Sequence, residues 1–466
     1  MNLRALPVIL ILALAACRDD ADRTRAEHAD SYPAQLSEHS AALLDDRELD
    51  LETCIALALD NGLAVKSSDL ARRLARIDRQ TAFGAFLPHL ELSFTHLDRR
   101  HAPTASLPGG AQQQMTDRSV SQFSASIQMP ILVPQSFFLY RMFQEGEDIA
   151  DLIAQRVRQQ IALHVAGRFY ACQASDRLTT VRSSAAQYAA EVHRQTVALH
   201  AAGLATAAAV AEAEALMAAE QHAVANLRRQ RRDERAALLE AMGLHPLATI
   251  SLAEAAPGPD RDLPPLEEAI VEALIARLEL RVSDREVAAS RHEVRMALVA
   301  WLPRLIGFAS YDHTSDSRQR YRDNLSYGIS GVLTVLDGWR NVHGYQAARM
   351  RQRQAFVRRE EQTLAVIMEV LRAHQAVTVA DEALALAVTA LRAASQRHHE
   401  TEAQWQAGLI TAPQRLHSAT ALHAAQAQHI LAGYRRDLAH LLFEDAIGMG
   451  ATPEVPVHKG DHDDDT

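Results

Sequence analysis

Histidine and carboxylate side chains are the groups in this sequence whose spacing suggests chemistry most directly. The chain carries 22 histidines, and its last nine residues place His458 and His462 among four aspartates. Imidazole nitrogens and carboxylate oxygens bind Zn²⁺, Cu²⁺ and Ni²⁺, so this tail is a weak candidate for a metal site. We prefer a solvated acidic tail, and we predict no metal and no cofactor. His398, His399 and Glu402 have helical spacing, for which an exposed helix face is the simpler interpretation.

Motifs of catalysis are absent from the full sequence. It has no Walker A motif, no His-Glu-x-x-His motif and no Gly-x-Ser-x-Gly turn. The net charge is −10 with the two signs interspersed, which argues against nucleic acid as a partner. The sequence therefore predicts a protein that is not an enzyme.

The N-terminus has the pattern of an export signal. Arg4 supplies a positive charge, and Val8–Ala16 is an apolar run too short to span a bilayer as a helix. The run ends in Leu14-Ala15-Ala16-Cys17, which resembles the lipobox of bacterial lipoproteins. The resemblance implies cleavage before Cys17 and its acylation, including palmitate, and Arg18 favours sorting to the outer membrane. An ordinary signal peptide with a coincidental cysteine is the alternative.

The rest of the sequence has no apolar run long enough for a membrane-spanning helix. Such a helix requires about 18 to 20 consecutive apolar residues. A mature chain that crosses a membrane would therefore have to cross it as β-strands.

Two further cysteines, Cys54 and Cys172, lie within apolar helical patterns. Three cysteines in total are few for an exported protein. Two buried free thiols is the interpretation that we prefer, and a disulfide between Cys54 and Cys172 is the alternative.

The strongest internal signal is a duplication of the chain. The segment that begins at Leu51 matches the segment that begins at Leu266, 215 residues later. Further along, the two copies are separated by 205 residues, so the first copy contains ten extra residues between Pro88 and Tyr140. The matched positions are Leu63 with Leu278, Leu87-Pro88 with Leu302-Pro303, Tyr140 with Tyr345, Gly203-Leu204 with Gly408-Leu409, Thr206 with Thr411, and Gly243 with Gly448.

The duplication divides the chain into six segments. Four prolines, at 257, 259, 264 and 265, mark the junction between the copies. The segments are the signal peptide 1–16, a polar non-periodic lipidated leader 17–48, the first repeat 49–256, the Pro-rich junction 257–265, the second repeat 266–450 and the acidic tail 451–466.

Each repeat contains two segments in which apolar and polar residues alternate. They predict strands at about 89–97 and 119–130 in the first repeat, and at about 304–312 and 325–335 in the second. The alternation is poorest in the third of these strands. Strands of about ten residues suit a tilted membrane-spanning strand, and a soluble hairpin packed on a helix is the alternative. Four strands cannot close a barrel, so membrane strands would require several chains to share one.

Long helices account for most of the remaining sequence. Residues 141–200 and 346–406 are rich in good helix formers and contain no proline. Gly203 and Gly408 interrupt the pattern, and a shorter helix returns after each glycine. A soluble coiled coil would explain these helices, but it would not explain the alternating strands.

The order of these motifs resembles the TolC-type outer-membrane efflux proteins, or outer membrane factors, over about residues 49–450. The starts of the two repeats, Leu-Glu-x-x-Ile-x-x-Ala-Leu followed later by Leu-Pro, are similar to the start of each half in that family. The other resembling segments are Leu333-Thr334-Val335-Leu336-Asp337-Gly338 and the fainter Met129-Pro130-Ile131-Leu132, which enter the long helices, and Ala202-Gly203-Leu204-Ala205-Thr206 and Ala407-Gly408-Leu409-Ile410-Thr411, which form the periplasmic tip turns.

The resemblance implies a fold class that is mainly α with membrane β. Long antiparallel helices would form a periplasmic α-barrel, and four strands per chain would contribute to the twelve-stranded β-barrel of a homotrimer. The implied function is a passive exit duct of a tripartite efflux or type I secretion system in the outer membrane of a Gram-negative bacterium. The implied partners are outer-membrane lipid, a periplasmic adaptor and an inner-membrane pump of the RND or ABC type.

The resemblance also assigns residues at the tip turns. Adaptor contacts would be made by Gly203, Leu204, Thr206, Gly408, Leu409 and Thr411. In the family an acidic ring often follows the second tip turn, and this sequence departs from that pattern. The matching positions carry Gln414 and His417, and Glu212 lies in the first copy. These three residues form a candidate aperture constriction in which His417 would titrate near neutral pH.

Two other functions remain open on the sequence alone. A periplasmic coiled-coil adaptor or scaffold lipoprotein would also contain helical hairpins, although adaptors lack this duplication. An enzyme anchored by lipid at Cys17 is the weaker alternative, because no catalytic motif is present.

Overall fold

The protein is described by a computed structural model that covers residues 21–44, 48–106, 108–110, 112–253 and 263–450. The signal peptide, Cys17, most of the junction and the tail with His458 and His462 lie outside the described residues. The predictions made for them therefore stay predictions. Among the described helices, none combines the length and apolar character that crossing a membrane requires.

The first repeat follows a leader helix and runs from two short helices through paired strands to a helical hairpin. Its long helix α4 has 68 residues, which corresponds to about 100 Å. The elements are α1 Ala21–Leu44, β1 Glu48–Leu49, α2 Leu51–Asn61, α3 Leu63–Phe83, β2 His89–Asp98, β3 Thr104–Ser106, β4 Gln112–Gln114, β5 Ser119–Leu132, α4 Pro134–Ala201, α5 Ala207–Ala241 and β6 Ser251–Leu252. A 3₁₀ turn, Gly84–Phe86, separates α3 from β2.

The second repeat has the same order of elements without the small strands. Its elements are α6 Leu266–Ala276, α7 Leu278–Leu298, β7 Arg304–Thr314, β8 Asp323–Val332, α8 Arg340–Gln406 and α9 Ala412–Ala446. A 3₁₀ turn, Val299–Trp301, separates α7 from β7. The prolines at 88 and 303 follow these turns, because a proline disfavours helix in the residue before it.

The chain forms two compact units, and each draws segments from both repeats. One unit, called here the sheet unit, consists of Ser67–Arg156 and Leu278–Ala365. The other, called the helical unit, consists of the described residues through Lys66, Val157–Arg277, and those from Val366 onward.

The sheet unit contains a four-stranded antiparallel sheet in the order β2-β5-β7-β8. Leu92 faces Ala125, which faces Tyr311, which faces Leu325, so one face of the sheet is apolar. The neighbouring row, which begins at Ser93, lies on the opposite face and is polar across all four strands. That row is Ser93, Ser124, Asp312 and Asn324. The register therefore gives the central rows of the sheet one apolar face and one polar face.

The third strand alternates poorly because it breaks the pattern on both faces. Gly307 and Ala309 occupy the apolar face with little side chain, while Phe308 occupies the polar face opposite Gly328. A Cβ built on Gly328 would lie 3.3 Å from the Phe308 ring, so the aromatic ring covers the glycine. The prediction of strand to residue 335 was wrong, because β8 ends at Val332, which pairs with the first residue of β7.

Hydrogen bonds join the loop between β2 and β5 to the loop between β7 and β8. We call this contact the clasp. Asp117 accepts from Ser317 N at 2.6 Å and from Ser317 Oγ at 2.9 Å, and its own backbone N donates to Asp316 Oδ1 at 3.0 Å. The longer loop of the first repeat also carries the β3–β4 hairpin, whose turn contains Gly109 and Gly110 at positive φ. This hairpin lies in the region where the sequence places the ten extra residues.

The helical unit contains a buried apolar cluster in the first repeat. Helices α2, α4 and α5 contribute to it, and it includes Ile55, Phe169 and Leu238 together with both cysteines. Cys54 and Cys172 are free and buried, so the preferred prediction of two buried thiols is confirmed. Burial raises the pKa of each thiol to about 12, and the thiolate form is therefore disfavoured at neutral pH.

The same backbone contact closes the helical unit in both repeats. Gly243 has φ 72° and a Cβ there would lie 2.9 Å from Asn61 O, whereas Gly448 has φ 86° and a Cβ there would lie 2.8 Å from Ala276 Cβ. We call these contacts the first joint and the second joint. Both need glycine, because an L side chain has neither the conformation nor the space.

The leader contains a helix that the sequence pattern did not predict. Residues 21–44 form α1, which has little amphipathic character and includes Pro33. Its C-terminal end is held by Ser40, whose hydroxyl donates to Leu36 O at 2.7 Å and accepts from His245 N at 2.8 Å. Leu44 joins the apolar cluster of the first repeat. Tertiary contacts therefore anchor one end of this helix, and sequence periodicity does not reveal such contacts.

Candidate functional site at the helix-hairpin turns

The two tip turns have the same backbone geometry. Gly203 and Gly408 adopt φ of 77° and 71°, and each is followed by a leucine whose N donates to a carbonyl five residues earlier. These bonds are Leu204 N to Leu199 O at 2.8 Å and Leu409 N to Gln404 O at 2.9 Å. This is the Schellman ending of a helix, for which glycine is the preferred residue.

The leucines of the tip turns point away from their own chain. Leu204 is 76% exposed and Leu409 is 75% exposed. The threonines that follow begin the returning helices, since Thr206 accepts from Ala209 N at 3.2 Å and Thr411 forms a capping box with Gln414. The turns are thus rigid backbone structures that each present one large apolar side chain.

Gln414 has a structural task in this arrangement. Its Oε1 accepts a hydrogen bond from Thr411 N at 2.9 Å. A side chain in a capping box satisfies one of the free backbone donors at a helix start. Gln414 is therefore held at the start of α9.

Glu212 and His417 line one groove beside the turns. Its volume is about 430 Å³, and helices α4, α5 and α9 form its walls. The walls are apolar apart from a few polar side chains, and they include Val192, Leu216 and Leu416. The structure thus brings two of the three predicted constriction residues to a shared surface, on which both side chains are exposed.

A partly buried polar cluster next to this groove was missed by sequence reasoning. Glu402 accepts from Tyr188 Oη at 2.9 Å and from Arg415 Nε at 2.7 Å, and Arg415 Nη1 donates to Gln195 Oε1 at 3.1 Å. The Arg415 guanidinium also lies 5.3 Å from the ring centres of Tyr188 and Trp405. Three helices, α4, α8 and α9, are therefore joined within about four turns of the tips.

The exposed helix face predicted for His398 and Glu402 is wrong. Their side chains are mostly buried, and His398 Nε2 lies 4.0 Å from Glu402 Oε1. The hydrogen bond from Arg415 lowers the pKa of Glu402, whereas burial and the bond to Glu402 raise the pKa of Tyr188. Spacing within one helix could not reveal partners on two other helices. The sequence alone shows only that an arginine, Arg415, occupies the fourth position of the next helix.

Interhelical ion pairs continue along the hairpins. Arg182 Nη1 joins α4 to α5 through Glu220 at 3.1 Å, and Arg436 Nε joins α9 to α8 through Asp381 at 2.8 Å.

No group of three or more metal-ligating side chains with suitable geometry occurs among the residues that the structure describes.

Comparisons with known proteins agree with this arrangement. A search of curated proteins gave no match. Among solved structures, the CmeC outer membrane channel of Campylobacter jejuni superposes with a TM-score of 0.75 at 14% identity, over 86% of both chains. The outer membrane protein VceC of Vibrio cholerae gives 0.72 at 15% identity, over 85% of this chain and 96% of that one. The open-state MtrE outer membrane channel of Neisseria gonorrhoeae gives 0.70 at 16% identity, over 86% and 89%.

The predicted fold class is confirmed by these similarities. The chain is mainly α, internally duplicated, and contributes long antiparallel helices and four strands to a fold shared with channel proteins. The model of the family described as outer membrane efflux protein matches residues 54–244 and 269–448, one match in each repeat. The chain therefore belongs to the outer membrane efflux protein family.

Proposed function

We propose that this protein is the outer-membrane channel subunit of a tripartite efflux or type I secretion system. Three copies form one passive exit duct, and the duct docks to a periplasmic adaptor and an inner-membrane pump of the RND or ABC type. The subunit itself carries out no catalytic step, since the pump supplies the energy.

The observation that carries this proposal is the division of the sheet into an apolar and a polar face. Lipid would contact the row that contains Leu92 and Leu325, and water in the duct would contact the row that contains Ser93 and Asp312. In a soluble adaptor or scaffold protein, an apolar face that crosses four strands would be exposed to water, which is unfavourable. This is the reason to prefer a membrane channel over a coiled-coil lipoprotein.

Oligomerisation follows from the edges of the sheet. Within the described residues, β2 pairs only with β5 and β8 pairs only with β7. Unpaired backbone groups at these edges would cost several kcal/mol each in hydrocarbon. Pairing of β2 with β8 of the next copy removes both edges, and three copies give the twelve strands expected for the family.

Apolar stripes on the helices support the same assembly. In α8, Val379 and Leu386 are exposed and seven residues apart, and in α3 Leu70 and Ile77 repeat that spacing. A seven-residue repeat of apolar positions is the pattern by which long helices pack against a neighbour. In a trimer these stripes would be covered by adjacent subunits.

The tips and the lipid anchor complete the proposal. Leu204 and Leu409 would meet the adaptor, supported by the rigid turns formed by Gly203, Gly408 and the two threonines that follow. Acylation of Cys17 would hold the leader at the outer membrane. We propose further that Glu212 and His417 narrow the resting aperture.

Adjacent residues on β2 provide a matched test of the channel. Lysine at Leu92 would place a charge in hydrocarbon and cost about 2–4 kcal/mol, whereas lysine at Ser93 would face water. We expect Leu92→Lys to abolish trimers in the outer-membrane fraction, and Ser93→Lys to keep trimers and shift conductance in planar bilayers towards anions. Equal tolerance of both substitutions would contradict the membrane sheet. A wild-type monomer released by removal of the lipid would favour the scaffold lipoprotein instead.

The constriction is tested by single-channel conductance. His417→Ala should change the conductance, because it removes a side chain from the proposed aperture, whereas His399→Ala, at an exposed histidine of α8, should leave it unchanged. Unchanged conductance in His417→Ala would exclude His417 from the aperture.

A further inference from the structure

A polar pocket lies in the sheet unit, between α4 and α7. Its volume is about 360 Å³, which is at the lower end of the range for small-ligand pockets. Its walls combine three arginines with two aromatic rings, one histidine and two carboxylates. The lining residues include Phe137, Arg141, Glu145, Arg285, His292 and Arg295.

Both carboxylates of the pocket pair with the same arginine. Arg285 Nη1 lies 3.2 Å from Glu145 Oε2 and 3.1 Å from Asp148 Oδ2. Glu145 Oε1 also lies 3.8 Å from His292 Nε2. Three arginines and two carboxylates give the pocket a net charge of +1 when the histidine is neutral.

Arg141 and Arg295 have no acidic partner within ion-pair distance in the part of the chain that the structure describes. The Arg141 guanidinium is held in place by Gln144 Oε1 at 2.9 Å and by the Phe137 ring at 5.5 Å. Guanidinium groups are fork-shaped donors that suit phosphate oxygens. The pocket thus presents two guanidinium groups that have no ion-pair partner of their own among the described residues, and that of Arg141 is held in place.

His292 adds an unused hydrogen-bonding group. Its side chain is 16% exposed, its ring stacks on Phe138, and its buried Nδ1 has no hydrogen-bond partner among the described residues. Buried polar nitrogens are normally paired, so this atom is one that a ligand or a water would satisfy. Burial lowers the pKa of His292, and its Nε2 faces the Glu145 carboxylate, so Nδ1 of the neutral ring is a hydrogen-bond acceptor.

The pocket lies close to the ends of two membrane-type strands. α4 begins at Pro134, directly after β5 ends at Leu132, and Arg141 is seven residues further on, or about 10 Å. Arg295 is in the last turn of α7, just before the 3₁₀ turn that leads into β7. If the sheet spans the hydrocarbon layer, this is the depth of lipid headgroups and the adjoining water.

We propose that this pocket binds a phosphate group, and that its source is a phospholipid headgroup of the periplasmic leaflet. Arg141 and Arg295 would contact the phosphate oxygens, and His292 Nδ1 would accept a hydrogen bond from a water beside the phosphate. The phosphate site stands on the pocket alone, whereas the lipid source rests on the proposed function.

The test uses the purified full-length protein in detergent and native mass spectrometry. The probes are dioctanoyl phosphatidylglycerol, dioctanoylglycerol, which lacks the phosphate, and inorganic phosphate as a competitor. We expect Arg141→Gln and Arg295→Gln each to weaken phosphatidylglycerol binding about tenfold, because each removes a charge-assisted hydrogen bond. Asp148→Asn should tighten it, because it removes a negative charge from the pocket.

Arg349→Gln is the matched control. Arg349 is exposed, lies nine residues into α8, and carries the same charge, so its loss should leave phosphatidylglycerol binding unchanged. Equal binding of dioctanoylglycerol, or unchanged binding in Arg141→Gln and Arg295→Gln, would overturn the site. Binding of inorganic phosphate alone would keep the phosphate site and overturn the lipid source. Conductance of the same variants separates the two proposals, since loss of the pocket leaves the channel conducting.

Discussion

The two joints of the helical unit share a backbone arrangement and differ in the chemistry that closes it. The first joint, Asn61 against Gly243, is backed by the apolar cluster that contains Phe169 and Leu238. The second joint, Ala276 against Gly448, is backed by a charged side chain. The duplicated fold therefore requires the contact between helix ends, but it does not prescribe which interactions stabilise it.

Arg277 is the charged side chain of the second joint. It is 4% exposed, binds Glu369 with two bonds of 3.0 and 2.8 Å, and donates to Asp445 O at 3.2 Å and Ala446 O at 3.3 Å. Carbonyls at the C-terminal end of a helix lack partners within the helix. A cation placed there donates hydrogen bonds to them and interacts favourably with the negative end of the helix dipole. At the position equivalent to Arg277, the first repeat has Gly62 and uses apolar burial instead.

The largest effect should come from truncating a large side chain in the apolar cluster of the first repeat. Phe169→Ala removes a fully buried ring and should lower the free energy of unfolding by about 4 kcal/mol, through lost burial and a cavity. Denaturant unfolding with hydrogen exchange measures it, and we expect the increased exchange in α5 near Leu238. Equal loss of protection at both joints would show that the two joints are one cooperative unit.

A smaller effect is expected from Arg277→Met, which keeps the apolar stem and removes the charge. The two carbonyls lose charge-assisted bonds while Glu369 remains half exposed to water, so we expect a loss of about 2–3 kcal/mol. Hydrogen exchange should rise at the end of α9. Arg281→Met, a neighbouring arginine of α7, serves as the control. Unchanged stability of Arg277→Met would show that burial alone closes the second joint.

The two glycines should respond alike, because the backbone demand is common to both joints. Gly243→Ala and Gly448→Ala each impose a left-handed conformation on alanine and a contact under 3.0 Å. Each should cost about 2 kcal/mol. Thermal unfolding of the two variants under one condition compares them, and a difference larger than about 1 kcal/mol would argue against equivalent joints.

The smallest effect concerns pH at the tips, where the second repeat has Glu402 and the first repeat has Val197 at the equivalent position. The pKa of Glu402 is lower in the folded protein, chiefly through the bond from Arg415, so its contribution is present above pH 4.5, the ordinary value for Glu. It is lost as the pH falls through the lowered pKa. In Glu402→Gln about 1 kcal/mol of this acid-sensitive stability should disappear, since solvent screens part of the interaction. Unfolding curves between pH 3 and 7 would contradict this if both proteins lost stability in parallel.

The sequence was sufficient for features that repeat with a short period. Alternation located the strands to within a few residues, and the positions of Gly203 and Gly408 located the turns. Even the weak alternation of β7 has a local cause, because the small Gly307 lies on the apolar face and the large Phe308 lies on the polar face.

Features that depend on distant partners were not predictable from spacing. Arg277 meets Glu369, 92 residues away, and Asp445, 168 residues away. Glu402 was assigned to an exposed face because its own helix shows only His398, while Tyr188 lies 214 residues away. Each is a charged side chain buried by a tertiary contact, and burial of charge has no periodic signature.

The clasp between Asp117 and Ser317 bears on how the molecule can be labelled. It fixes the base of the longer loop, whereas the turn at Gly109 and Gly110 lies beyond the clasp in the β3–β4 hairpin. In the proposed orientation this turn faces the cell exterior. A short epitope inserted between the two glycines would therefore be displayed to antibodies on intact cells while the strands below keep their register, which makes this loop a reporter of correct assembly in living bacteria.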